Sequence, residues 1–318
     1  MHLICGEALY DVFIERTAVD RAGEISLKAV AGGSPFNVAI GMARLEASAA
    51  FGSDLARDVL GEGLVERLCT EGVDDRFLRR SAANTPLAFV SIDRAGSPSY
   101  RFQALEGASF CPDREVVEQF LADITGLHLG SIALILPRSA EALFAFARQM
   151  SDRALVSLDP NIRLSVEPDR SKWRKAIERV RPFAHLVKVS EEDLVAIYGS
   201  AADVDSLCKT WLSDRTELVA LTRGASGATF FSRTAGRVDI PALPTKVADT
   251  VGAGDSFMAA MLAALSRAGR LTPDSIAAQC SVQLHALGRF AAAAAALTCS
   301  MRGPVLPRLA QVERLAAT

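Results

Sequence analysis

Val247-Ala248-Asp249-Thr250-Val251-Gly252-Ala253-Gly254-Asp255-Ser256-Phe257 is the stretch on which the reading of this chain turns. An acid and a hydroxyl lead into Gly-Ala-Gly, and a second acid follows. Glycines let the backbone turn tightly and leave bare N–H groups. The run from there to about Leu265 lacks proline and is rich in Ala, Leu and Met, so it predicts a buried helix. A glycine turn feeding a helix N-terminus is an anion site, because free N–H groups and the positive dipole end point the same way. Asp255 then stands where a base can meet a hydroxyl as that hydroxyl meets a phosphate. The same string also serves as a tight loop with Asp255 as a mere helix cap. Two other glycine motifs are excluded. No Lys follows the glycines as a Walker A loop requires, and Phe257 occupies the third glycine position of a dinucleotide fingerprint.

Composition narrows the classes. The chain has 318 residues, half of them apolar, enough for a large core. A net charge of −2 with no basic stripe and few aromatics argues against a nucleic-acid partner. The six cysteines are scattered without a C-x-x-C pair and read as free or buried thiols of a reducing compartment. No apolar run is long enough to span a membrane, and the N-terminus opens directly into an apolar strand, so a soluble cytoplasmic protein is expected.

From Leu127 onward apolar strands alternate with amphipathic helices. Strands are expected over Leu127–Ile132, Ala154–Asp159, His185–Ser190 and Leu218–Thr222, and helices over Ser139–Met150, Lys172–Val180 and Glu191–Tyr198. That rhythm predicts a parallel, doubly wound sheet with ligands at the C-terminal strand ends. Asp159-Pro160-Asn161-Ile162-Arg163, Lys188 to Asp193 and Thr222 to Gly227 fall at those ends. Arg163 is an always-charged fork suited to phosphate or carboxylate, or else a surface ion-pair partner. Thr222 to Gly227 also reads as a plain turn between strands. The segments 12–31 and 85–104 differ from the rest: two strand patterns flank a turn at Arg94 to Pro98.

Near the N-terminus, Asp11 is an acid among large apolar residues, a strand-end turn residue or cap, or else a functional carboxylate. Further on, Gly32-Gly33-Ser34-Pro35-Phe36-Asn37 reads as a glycine turn, then Ser34 as an N-cap with Pro35 opening a helix. Asn37 projects from the first turn of that helix, either incidentally or as a ligand.

Asp249 to Phe257 closely resembles the C-terminal signature of the ribokinase/PfkB family of carbohydrate kinases, and Gly32-Gly33 with Asn37 resembles its N-terminal one. Together with Gly6-Glu7-x-Leu9-x-Asp11 and Asp159-Pro160-Asn161-x-Arg163, the pattern is most like the bacterial fructokinase branch. The resemblance implies an α/β fold, a ribokinase-like three-layer α/β/α sandwich with a mostly parallel sheet plus a small β-sheet lid from 12–31 and 85–104, in one domain over 1–318. It implies transfer of the ATP γ-phosphoryl to a ketose, fructose becoming fructose 6-phosphate. A 2-keto-3-deoxygluconate kinase and a catalytically idle sugar-binding homologue are the alternatives.

The residues transfer position by position. Asp11, Gly32, Gly33 and Asn37 would hold sugar, with Arg101 or Arg163 available for an acidic one. Gly252, Ala253 and Gly254 would hold the moving phosphoryl and Asp255 its proton, as a weak base if the helix dipole lowers its pKa. Lys188, Ser190, Thr222, Gly224 and Gly227 would line the nucleotide. Ser190 and Asp193 replace the family's Asn and Glu that order water around Mg²⁺, and Ala292 stands where many relatives carry Asn near adenine. Asp249 and Thr250, with Ser300 and Gly303, match the loops that bind a monovalent cation such as K⁺ in some relatives. Pairing of two lids in a homodimer is the expected assembly.

Overall fold

In a computed structural model of the chain, residues 1–15, 25–92, 98–105, 108–212 and 215–318 are described. The strands are β1 His2–Cys5, β2 Leu9–Glu15, β3 Ser26–Gly32, β4 Ala49–Ala56, β5 Leu78–Ser81, β6 Leu87–Ile92, β7 Pro98–Gln103, β8 Gly126–Gly130, β9 Leu155–Asp159, β10 Leu186–Ser190, β11 Leu218–Thr222, β12 Ala228–Ser232 and β13 Gly236–Ile240. The helices are α1 Ser34–Arg44, α2 Val59–Thr70, α3 Arg114–Gln119, α4 Pro137–Met150, α5 Arg170–Val180, α6 Glu191–Tyr198, α7 Val204–Trp211, α8 Ala253–Arg267, α9 Pro273–Ala277, α10 Ser281–Cys299 and α11 Leu309–Ala316. The alternating pattern after Leu127 therefore lies where the sequence puts it, within one or two residues at most ends. The expected turn at Arg94 to Pro98 lies mostly outside the described residues.

Nine strands form one sheet in the order β13-β12-β11-β10-β9-β8-β1-β4-β5. All neighbours are parallel except the β11–β12 and β12–β13 pairs at one edge. The chain leaves β1 in one direction to β4 and later returns on its other side at β8. Such a switch point opens a crevice at the carboxyl ends of the strands. Alternate residues of each strand feed two cores. Ile4, Leu155 and Leu186 pack with α1, α2, α8, α10 and α11, whereas Leu3, Val156 and Val187 pack with α3 to α7. Helices on both faces of a parallel sheet make three layers.

A separate four-stranded sheet has the order β3-β2-β6-β7. One face carries Asp11, Ala88 and Phe102 in register; the other carries Val12, Phe89 and Arg101. Ile14 and Leu27, on the second face, are more than half exposed.

The glycine turn at 32–33 is set by packing. Gly33 has φ 109°, and a Cβ there would lie 2.5 Å from the Glu7 carbonyl oxygen, so only glycine fits. Ser34 is not the cap of α1. The helix begins at Ser34 itself, Gly33 is the cap residue, and the Ser34 hydroxyl is committed elsewhere.

Among the described residues, no helix is long and apolar enough to cross a membrane. The core does hold three buried histidines, His2, His128 and His185. Both ring nitrogens of His2 lack a partner among the described residues, and its ring packs on Gly126. Burial pushes His2 and His128 down to about 3 and His185 to about 4. The unfolded chain takes up these protons near pH 6.5, so each histidine removes stability as pH falls from about 6.5 toward its folded value. We expect His2→Leu to abolish one such contribution. Denaturant unfolding across that window should show the wild type losing about 1.4 kcal/mol per pH unit relative to the variant. A pH-independent difference would contradict a neutral buried His2.

Candidate active site

The C-terminal strand ends and the N-termini of α1 and α8 converge on one crevice. Helix α8 opens at Gly252, whose φ of 78° turns the chain into the first helical residue. Ala253 N–H donates to the Thr250 carbonyl at 3.2 Å, and Ser256 N–H donates to Gly252. The N–H groups of Gly254 and Asp255 have no backbone acceptor among the described residues, so they are the open donors of this terminus. Of Gly252, Ala253 and Gly254, expected to hold the phosphoryl, Ala253 thus spends its N–H within the turn, and the open pair is Gly254 with Asp255.

Asp255 lies in the first turn of α8 and is buried. Ser34 Oγ donates to its Oδ1 at 2.6 Å, and Asn37 Nδ2 donates to its Oδ2 at 2.8 Å. Both donors come from the first turn of α1. The two helices approach closely because Gly41 faces Ala259: a Cβ on Gly41 would stand 2.6 Å from the Ala259 methyl. On the far side of α8, Thr298 Oγ1 donates to Ser256 Oγ at 2.9 Å and ties α8 to α10.

Burial raises the Asp255 carboxyl above the ordinary aspartate value, against the pull of Ser34, Asn37 and Lys188. The helix dipole was expected to make it a weaker base. Loss of water dominates instead, because a charged carboxylate out of solvent is costly even when hydrogen-bonded.

Beneath the α8 terminus the sheet supplies charge. Lys188 Nζ donates to Asp159 Oδ2 at 2.8 Å, in a pair whose side chains are only 4% and 1% exposed. Burial pulls the ammonium down, but Asp159, Asp193 and Asp255 together hold it above its usual value. A Cβ on Gly254 would stand 2.8 Å from Lys188 Nζ, so the glycine leaves room for this ammonium under the open N–H groups. The Asp193 Oδ1 accepts from Ile162 N–H at 3.0 Å, while Ser190 Oγ caps α6 by accepting from Asp193 N–H.

Toward the small sheet, Asp11 sits on β2 with a Cβ position on Gly32 only 2.7 Å from its Oδ2. Its carboxyl is pushed up to about 6, by burial first, against the pull of Arg163. Tyr100, on the same face of the small sheet, interacts electrostatically with Arg163 and Asp11. Arg101 is the next residue along β7; it is exposed and faces away from Asp11. The structure does not bring Arg101 into this group, while it does add Ser34, Glu7 and Tyr100, none of which the sequence reading placed in the site. Ser34 reads as a cap before Pro35, and Tyr100 depends on a strand register that one chain does not reveal.

Thr222 pairs in register with Ser190 at the ends of β11 and β10. Gly224 and Gly227 bound the following turn, which Arg223 anchors by pairing with Asp205 and Thr229. Asp249 joins two loops: it accepts from Val251 N–H at 3.1 Å and from Gly303 N–H at 2.9 Å, and Thr250 beside it is exposed. Ala292 lies half-buried on α10. Among the described residues no group of three or more His, Cys, Asp or Glu forms a metal cage. Beside Lys188, Asp159 Oδ1 is buried with no partner among the described residues. That donor set fits an ion that arrives on a nucleotide's phosphates and keeps most of its waters.

Open helix-terminal donors over a buried lysine and a buried carboxylate define a site for moving a phosphoryl group onto a hydroxyl. The chain belongs to the pfkB family of carbohydrate kinases, whose model matches residues 3–310. It is 34% identical over 277 residues to a fructokinase of Rhizobium leguminosarum bv. trifolii, covering 87% of this chain and 83% of that protein. A fructokinase of Xylella fastidiosa solved with bound ATP superposes with a TM-score of 0.86 at 27% identity, over 99% of this chain and 98% of the other. A fructokinase of Vibrio cholerae O395, solved with fructose, ADP and a calcium ion, gives a TM-score of 0.76 at 26% identity over 99% and 98%.

Removing one partner of the Lys188–Asp159 pair leaves a buried charge uncompensated. Lys188→Met should lower the unfolding free energy by about 3 kcal/mol or more, and adding Asp159→Leu should restore part of it. Denaturant titration of the three proteins measures this. Ser34→Ala removes one donor from ionised Asp255, so the acid limb of its pH–rate profile should move to higher pH; an unmoved limb would detach Ser34 from the base.

Proposed function

We propose that this protein transfers the γ-phosphoryl group of ATP to the primary hydroxyl of fructose, giving fructose 6-phosphate and ADP. The observation that carries the reading is the buried Asp255 carboxylate set in the same helical turn as the open N–H groups of Gly254 and Asp255. The hydroxyl gives its proton to Asp255 as its oxygen bonds the γ-phosphorus, and the β–γ bridging bond breaks with its electrons leaving on ADP. A carboxylate of raised pKa suits this proton transfer, and the loose transition state asks for charge stabilisation above all. Gly252 lets the α8 terminus, from Ala253 onward, face the phosphoryl.

Asp11 and the free oxygen of Asn37 hold ring hydroxyls, over the backbone of Gly32 and Gly33. Lys188, Ser190, Thr222, Gly224 and Gly227 line the nucleotide side. Mg²⁺ would neutralise phosphate charge, with Asp193 ordering its waters. The Asp249 and Thr250 loop, joined to Gly303, is our candidate for a K⁺ site, its ligands chiefly backbone carbonyls.

One kinase domain over 1–318, a cytoplasmic setting and a homodimer complete the proposal. The free state of all six cysteines supports a reducing compartment. The exposed Ile14 and Leu27 on the outer face of the small sheet support pairing of two lids. A second reading, a 2-keto-3-deoxygluconate kinase, draws on Arg163, which makes no ion pair within 4 Å among the described residues and can meet a substrate carboxylate.

ADP release with magnesium-ATP across fructose, ribose, tagatose, adenosine and 2-keto-3-deoxygluconate separates these. Fructose should give the highest kcat/KM, and Asp255→Asn should lose on the order of 10²–10⁴ in kcat. No turnover on any sugar, with ATP still bound, would indicate an idle homologue.

A further inference from the structure

Arg223 stands in the turn that joins β11 to β12, one residue past Thr222. A guanidinium in a loop on the nucleotide side suits a phosphate, but this one is engaged elsewhere. Its Nη2 donates to Asp205 Oδ1 on α7, and its Nη1 donates to Thr229 Oγ1 on β12. Its Nε lies 3.6 Å from Glu191 Oε1 in the first turn of α6. Each nitrogen of the fork thus faces a protein oxygen.

The partners close on one another. Thr229 Oγ1 donates to Asp239 Oδ1 at 2.7 Å, and the two residues pair in register between β12 and β13. Arg237 donates through Nε to Asp239 Oδ2 at 2.9 Å and through Nη1 to Asp205 Oδ2 at 2.5 Å. The result is a ring, from Arg223 through Asp205, Arg237, Asp239 and Thr229 back to Arg223, in which two guanidinium groups balance two carboxylates. Arg237 also lies over the Phe231 ring, 5.8 Å from its centre. A lone surface ion pair holds little, whereas a closed network of charges holds its members in one geometry. This one fastens the turn to α7 and to the antiparallel edge of the large sheet.

The turn has little else to fix it. Gly224, Ala225 and Ser226 are exposed, and Gly224 and Gly227 have φ of 51° and 87°. Its backbone hydrogen bonds, from Arg223 N–H to Gly227, Ser226 N–H to Arg223 and Gly227 N–H to Gly224, are all internal. Two glycines give such a segment many shapes when nothing outside selects one.

We propose that Arg223 is a positioning residue for the nucleotide, which through the ring of Asp205, Arg237, Asp239 and Thr229 holds the turn from Thr222 to Gly227 in the shape that receives ATP. The inference deepens the kinase reading above and rests on it for the identity of the nucleotide. Arg223 acts through the turn and not on the phosphates. A turn that takes its receptive shape only part of the time binds with its affinity reduced by that fraction. No hydrogen bond or ion pair among the described residues links the ring to Asn37 or Asp255, so the sugar side is independent of it.

Steady-state kinetics with fructose and magnesium-ATP, beside calorimetric titration with magnesium-ATP, test this on Arg223→Met and Asp205→Asn. Each variant should raise the KM and the dissociation constant for ATP about tenfold, as for a turn that is receptive about a tenth of the time, while kcat and the KM for fructose stay within about twofold. The double variant should bind ATP no more weakly than Arg223→Met, because both changes open the same ring. Additive losses, or a loss in Arg223→Met that Asp205→Asn does not share, would make Arg223 a phosphate ligand and overturn the proposal. Unchanged ATP affinity in both variants overturns it too, as does a KM for fructose that rises as far as that for ATP. Where Asp205→Asn fails to fold, Arg237→Met opens the ring at a half-exposed side chain and must show the same split. A wild type that binds ATP but phosphorylates no sugar overturns the proposed function, and the titration still decides this inference. A wild type that binds no ATP overturns both.

Discussion

The structure depends on one buried carboxylate. Asp255 accepts hydrogen bonds from Ser34 and Asn37, and through them α8 is docked on α1. A buried acid is expensive, and hydrogen bonds to an ionised partner are worth about 1.5–3 kcal/mol each, so the two donors offset much of that expense. The close approach of Gly41 to Ala259 sets the helices near enough for both bonds to form. Because the two helices carry the two glycine turns, the docking also brings the Gly32–Gly33 backbone and the Gly254 N–H group to one crevice. Folding and the proposed chemistry thus draw on the same group: what anchors the helices is also the base we propose.

Around that carboxylate the charges are arranged at three depths. Lys188 and Asp159 form a closed pair in the sheet, under the α8 terminus. Asp11 and Arg163 lie outward, toward the small sheet, where Tyr100 also faces. The open N–H groups of Gly254 and Asp255 are fixed dipoles between the two. In the proposed reaction an incoming phosphoryl would meet partial positive charge that needs no reorganisation, while the acceptor hydroxyl would meet carboxylates able to hold and deprotonate it. Negative charge prevails around Asp11 and Asp255, which supports the proposed polyol acceptor.

Much of the scaffold is legible in the sequence, because buried parallel strands and amphipathic helices leave periodic signals; α6 begins and ends where its pattern does. The joining of the two glycine motifs is legible only through family resemblance, since nothing local to Asn37 points to a partner more than two hundred residues away. Four features are hidden for physical reasons. Ser34 reads as a cap because Ser-Pro so often is one, yet the helix starts at Ser34 and frees its hydroxyl for Asp255. The direction of the Asp255 shift depends on burial, and burial is a property of the fold. Arg101 turns outward because of a strand register that the sequence pattern alone does not fix, and Glu7 looks like any acid at the end of a strand until β8 and β9 close around it.

The measurement that bears most directly on this account is a double-mutant cycle between Asn37 and Asp255, read by denaturant unfolding of the wild type, Asn37→Ala, Asp255→Ala and the double variant. The account predicts a coupling of about 1.5–3 kcal/mol, the worth of a buried hydrogen bond to a charged group. Additive effects, within about 0.3–0.5 kcal/mol, would mean that the two helices do not dock through this carboxylate.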